Sequence, residues 1–116
     1  LIRVISYTFV DGFTRVARVE AIERLKRSIA RADGVILDFA FFGGEAIRLT
    51  VEMDAAALVA FREALSESEI ELFPRSAADL DAAQRMEPTH PIFALLHVSF
   101  VSAEDERDLA ASAPAG

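Results

Sequence analysis

The chain has 116 residues, 53% of them hydrophobic, with a net charge of −7 and no cysteine. That is one domain with a real core, and the charge argues against a nucleic-acid partner, whose phosphates most of the surface would repel. The missing cysteines exclude disulfides, thiolate nucleophiles and cysteine-ligated metal clusters, and they fit a reducing, cytoplasmic setting.

No apolar run approaches the ~20 residues that span a bilayer, so no membrane partner is expected. The N-terminus lacks a signal-peptide pattern, and leucine at position 1 leaves room for missing upstream sequence. Residues 1–103 read as a single α+β domain. Residues 104–116, acidic at Glu104-Asp105-Glu106 and then small and proline-containing, read as a partly disordered tail.

In chain order, Ile2–Val10 is rich in β-branched and aromatic residues and reads as a strand. Asp11-Gly12 between Val10 and Phe13 is a type I′ hairpin signal, which makes Phe13–Arg18 a second, extended strand. The rival reading starts a helix soon after Gly12. Val19, Ile22, Leu25, Ile29 and Ala32 form one stripe at helical period, with Gly34 as the stop. Val16 and Arg18 would spoil that stripe, so the helix is expected to begin near Val19.

A second strand–turn–strand–helix unit follows and reads as a repeat of the first, with Gly43 in the place of Gly12. Val35–Phe42 and Ala46–Met53 both carry apolar side chains at odd positions. A three-residue loop, Gly43-Gly44-Glu45, places Phe41 opposite Ile47, Phe39 opposite Leu49 and Leu37 opposite Val51. A two-residue loop would set apolar against polar, and a slip of one residue would send a whole apolar face into water.

Asp54 is the expected N-cap of a helix striped by Leu58, Phe61 and Leu65. Glu69–Phe73 reads as a short strand, and Ser76-x-x-Asp79 as a capping box opening a short helix to about Met86. Pro88-Thr89-His90-Pro91 is a turn. Ile92–Val101 is apolar on both faces, as a central or covered strand would be. Six phenylalanines, at 39, 41, 61, 73, 93 and 100, fall where burial is expected. Phe9, Phe13 and Phe42 crowd the turns, where association surfaces form.

Motifs for chemistry are sparse. Gly43-Gly44 joins two strands and opens no helix, so it cradles no phosphate. No serine sits in a Gly-x-Ser-x-Gly elbow. His90 and His97, one in a turn and one in a strand, fit no recurrent metal-ligand spacing, and no cofactor is expected. His90 reads as a solvent-exposed loop residue. His97 shares a strand face with Phe93, Leu95 and Ser99 and there needs a hydrogen-bond partner or a cavity. On the polar face of the hairpin, Asp38 lies opposite Thr50 and diagonal to Arg48. His97, Asp38 and Arg48 are therefore the candidate ligand-binding residues; no catalytic residue is assigned.

The order of elements over about residues 2–73, strand–helix–hairpin–helix–strand, resembles the ferredoxin-like superfold and, more loosely, the small-molecule-sensing ACT-like domains built on it. The resemblance implies an antiparallel sheet in βαββαβ order with helices on one face, here with an extra hairpin strand and a C-terminal strand. Three functions compete: a noncatalytic small-molecule-binding or regulatory homodimer, a small dimeric enzyme with His97 as base, and an assembly subunit for a protein partner. The first is preferred.

Overall fold

The computed structural model describes residues 6–101. The start of the first expected strand and the whole 104–116 tail lie outside those residues. Five strands and three helices follow in the order β1 (Ser6–Thr14), α1 (Arg18–Arg31), β2 (Val35–Phe42), β3 (Ala46–Asp54), α2 (Leu58–Glu67), β4 (Ile70–Leu72), α3 (Pro74–Gln84) and β5 (Pro91–Phe100). A short 3-10 turn, Ala55–Ala57, leads into α2. No helix among the described residues is long and apolar enough to cross a membrane.

The sheet order is β2-β3-β5-β1-β4. β5 runs parallel to β1 and antiparallel to β3, so the sheet is mixed, not antiparallel. In a ferredoxin-like sheet β1 would lie against β3; here β5 is wedged between them, and the strand order differs from the expected one for that reason. The run Ile92–Val101 is apolar on both faces because β5 is the central strand.

The expected first hairpin does not form. β1 continues through Asp11-Gly12, with Thr8, Val10, Gly12 and Thr14 buried and Tyr7, Phe9 and Asp11 turned outward. Gly12 serves close approach rather than a turn: a Cβ there would lie 2.5 Å from the carbonyl oxygen of Glu71 on β4. Arg18, expected to end a strand, is the first residue of α1, and the apparent internal repeat dissolves. The inward stripe of α1 is Ala21, Leu25, Ser28, Ile29 and Ala32, while Val19 is 75% exposed on the far side. Arg18 is exposed too, so it never burdens the buried face. At the C-terminal end the left-handed residue is Asp33, φ 52°, and the Gly34 amide donates to the Ile29 carbonyl at 2.9 Å.

The second hairpin has the expected three-residue loop, with Gly43 at φ +58° and Phe41 opposite Ile47, Phe39 opposite Leu49. Beyond Asp38 the register shifts. Leu37 is bulged, so Val51 faces Ile36 instead. Phe39 and Phe41 are not buried: they lie on the covered side of the sheet, but β2 is an edge strand and both stay exposed, at 60% and 44%. Phe73, Phe93 and Phe100 are only half-buried.

Two expected caps are also replaced. Asp54 makes no side-chain cap bond; the Ala55 and Ala56 amides donate to the His90 and Pro88 carbonyls at 2.9 and 3.0 Å, so the 88–91 turn does the capping. α3 starts at Pro74, whose missing N–H costs nothing at a first helical position. The buried Ser76 hydroxyl instead accepts the Asp11 amide at 2.8 Å.

One core results. Val10, Ile47, Leu49, Val51, Met53, Ile92, Ala94, Leu96 and Val98 pack against Leu25 and Ile29 of α1, Leu58, Phe61 and Leu65 of α2, and Leu80 and Ala83 of α3. All three helices thus share one side of the sheet. Arg24 of α1 ties down the α2–β4 corner, donating to the Ser68 carbonyl and to Glu69 at 3.3 and 3.1 Å. Its hydrogen bond to Glu20, joined by Glu69 and opposed by partial burial, raises the guanidinium above the ordinary arginine value, so it stays charged at any accessible pH.

Candidate functional site

With the helices on one side, the other face of the sheet is built from alternate residues that face away from the core. Register places them in rows. Asp11, His97, Arg48 and Ala40 form one row across β1, β5, β3 and β2. Phe9, Leu95, Thr50 and Asp38 form the next. Tyr7, Phe93 and Glu52 form a third. Tyr7 and Phe9 are 60% and 66% exposed, and the Tyr7 and Phe93 rings stand 5.5 Å apart. The face therefore has an apolar end, made by β1 and β5, and a polar row beside it.

Two of the three expected site residues, His97 and Arg48, sit in the polar row. His97 and Arg48 are direct cross-strand partners. His97 Nδ1–H donates to Asp11 Oδ1 at 3.1 Å; the carboxylate has no proton to give, which fixes the proton on Nδ1. Phe42 closes the group, its ring centroid 6.2 Å from that of His97 and 5.4 Å from the Arg48 guanidinium carbon. Asp38 is on the same face but one row away and two strands from His97, and it forms no ion pair with Arg48 within the chain. His97 and Arg48 are thus brought together, and Asp38 is not brought to them.

Asp11 and Phe42 belong to this group, although the sequence marks Phe42 only as part of an association surface and Asp11 only as a turn residue. Its odd position, in step with Tyr7 and Phe9, is the signal that finds it once the strand runs on through Gly12. His90 is not a bare loop residue: its Nε2 and the Ser6 hydroxyl are hydrogen-bonded at 2.8 Å.

Two grooves among the described residues lie elsewhere. An open groove of about 720 Å³ is lined by Arg62, Leu65, Ser66, Glu69, Leu72 and Ala77. Its charges are already committed, Arg62 to Asp81 and Glu69 to Arg24. A smaller groove of about 410 Å³ lies between Val35, Glu52 and the 3-10 turn. Neither holds His97 or Arg48. Among the described residues no group of three His, Asp or Glu side chains is placed to hold a metal ion.

Comparison of the chain with family models, curated protein sequences and solved structures finds no match.

What the patch can do chemically follows from its members. Arg48 offers a planar array of N–H donors suited to a carboxylate or phosphate. His97 Nε2, which no described residue engages, can accept or, when protonated, donate. The aromatic row beside them offers a flat apolar shelf.

Proposed function

We propose that the chain is a noncatalytic small-molecule-binding or regulatory module that acts as a homodimer. Its ligand lies on the open face of the sheet, an anionic or polar head against Arg48 and His97 and an apolar body along Leu95, Phe9, Phe93 and Tyr7. The observation that supports this reading is the Asp11–His97–Arg48 row beside an uncovered aromatic shelf. Asp11 holds the imidazole in one tautomer and orientation, which is what a recognition group requires. Asp38 lines the same face one strand beyond Arg48. A cytoplasmic setting is part of the proposal and rests on the cysteine-free composition.

Binding is preferred over catalysis because the imidazole is 42% exposed at its side chain. In water a positioned base loses most of the electrostatic advantage that an enclosed site provides. The Asp11–His97 pair favours the second reading, a small enzyme with His97 as general base, since a carboxylate-oriented imidazole is the usual form of that group.

A thermal-shift screen against amino acids, nucleotides, carboxylic acids and divalent metals tests the first reading. A ligand at 100 times its dissociation constant adds about 2.7 kcal/mol, a shift of a few degrees for a domain this size. Stabilisation by one anionic class, abolished by Arg48→Ala and weakened by His97→Ala, is the expected result. A flat screen, or a shift indifferent to both substitutions, contradicts it. Turnover of the bound compound that His97→Ala abolishes would select the enzyme.

A further inference from the structure

The two edges of the sheet are β4 and β2, and they are built in opposite ways. β4 is three residues long, carries the exposed Glu71, and is followed at once by Phe73 and Pro74. Short, charged and proline-bounded edges discourage pairing with another chain. β2 has eight residues, no proline and no lysine, and exposes Val35, Ile36, Leu37, Phe39, Phe41 and Phe42. Among the described residues it pairs only with β3, so every second residue along it turns an N–H and C=O outward without a strand partner. An extended backbone with such a row of donors and acceptors is matched by one thing, another strand.

We infer that β2 pairs antiparallel with β2 of a second copy about a two-fold axis at Ala40. The inference rests on the homodimer reading above and specifies its interface. Antiparallel self-pairing is closed by the two-fold, so it yields a dimer rather than a filament.

The register comes from where β2 is regular. The bulge at Leu37 ends the straight segment on one side and the left-handed Gly43 ends it on the other, leaving Asp38–Phe42 with Ala40 at its centre. Ala40 is the smallest side chain of that segment, where the two strands meet on the axis. On the helix side, Phe39 then faces Phe41 of the second copy and Phe41 faces its Phe39. The edge-to-face Phe39–Phe41 pair, 5.7 Å between centroids, becomes a cluster of four rings.

On the open side, Asp38 of the second copy faces Phe42. The Arg48 guanidinium already leans over the Phe42 ring, towards that edge, and among the described residues it has no carboxylate partner. The opposite charge thus arrives from the other copy. Two strand spacings and a two-residue offset, about 12 Å, separate the two Cα positions, a span that an extended arginine and an aspartate side chain close together. Arginine has five N–H donors, so this ion pair fixes Arg48 and leaves donors for a ligand. Asp38 in this way joins the Arg48–His97 group from which it is remote within one chain.

Within the paired segment Phe39, Phe41 and Phe42 are 60%, 44% and 47% exposed, and a second copy on this edge takes that apolar surface out of water.

Sedimentation equilibrium of the full chain, with Phe39→Lys, Asp38→Arg and Arg48→Asp, tests the interface. Each of these side chains is exposed, so the variants keep the wild-type circular dichroism. The wild type is expected to be dimeric and each variant alone to dissociate with a constant raised at least about tenfold, from like charges set against each other or lysine on the edge. The decisive arm is an equimolar mixture of Asp38→Arg with Arg48→Asp. Across the two-fold both contacts become attractive again, and the mixture alone regains the dimer. A dimer that none of the three substitutions weakens overturns the β2 interface while leaving the homodimer reading in place. Weakening without rescue in the mixture overturns the register. A monomeric wild type overturns both the interface and the homodimer.

Discussion

A methyl group at Gly12 would lie 2.5 Å from the carbonyl oxygen of Glu71 and 3.2 Å from a Leu72 methyl. The first of these is backbone in a paired strand and does not yield. Gly12→Ala is therefore expected to lower stability by about 2–3 kcal/mol, read as a shift of the urea midpoint at constant slope. Gly43 and Gly44 have open space where a Cβ would go, but Gly43 has φ +58°. Gly43→Ala should cost about 1 kcal/mol and Gly44→Ala close to nothing. A Gly12→Ala protein as stable as Gly44→Ala would contradict the close approach of β1 and β4. Ser76 makes a related point. Its hydroxyl accepts the Asp11 amide in a buried setting, so Ser76→Ala leaves an amide without its acceptor, at about 1–3 kcal/mol by the same denaturation assay. The same peptide unit adjoins the Asp11 carboxylate that orients His97. Serine at position 76 looks like part of a capping box in sequence because the residue types that cap helices are those that bond any nearby backbone group.

Among the elements, the hairpin β2–β3 was legible and β1 was not, for opposite physical reasons. Alternation in both arms and two glycines between them leave only one loop length that keeps apolar residues on a common face. In β1 the same glycine signal marks a long-range contact with β4, a strand 58 residues further on in the chain, and no local rule separates that use from a turn. The helix α1 was found but rotated: Ala21 and Ser28, small and weakly patterned, are buried, while Val19 is in water. Period identified Phe39 and Phe41 as one face, yet whether a face is covered depends on where the strand sits, and β2 is at the edge with both rings exposed. Burial of Phe39 and Phe41 in the protomer was thus the wrong inference from a correct register. The bulge at Leu37 carries no sequence mark that sets it apart from its apolar neighbours.

At the scale of the molecule, three helices cover one face of a five-stranded sheet and leave the other to Tyr7, Phe9, Phe93, Leu95 and the Asp11–His97–Arg48 row. His97 and Arg48 stood out as candidates because His97 interrupts an apolar run and Arg48 lies on the polar face of the hairpin. Their adjacency was not, since it requires β5 to insert between β1 and β3, and strand order is set by tertiary packing rather than by any local preference. The open face contains a built-in reporter. Tyr7 is the only tyrosine in a chain without tryptophan, and it stands exposed on the apolar end of the proposed site. Its emission and its quenching by acrylamide therefore report on that face alone. The most direct measurement is a tyrosine fluorescence titration with whichever anionic compound stabilises the protein against heat. Tyr7 is expected to become protected from quenching with the same midpoint as the thermal effect, and Arg48→Ala to abolish both. A compound that stabilises the fold while leaving Tyr7 equally quenched, or one that protects it equally in Arg48→Ala, would contradict the open face as the binding site.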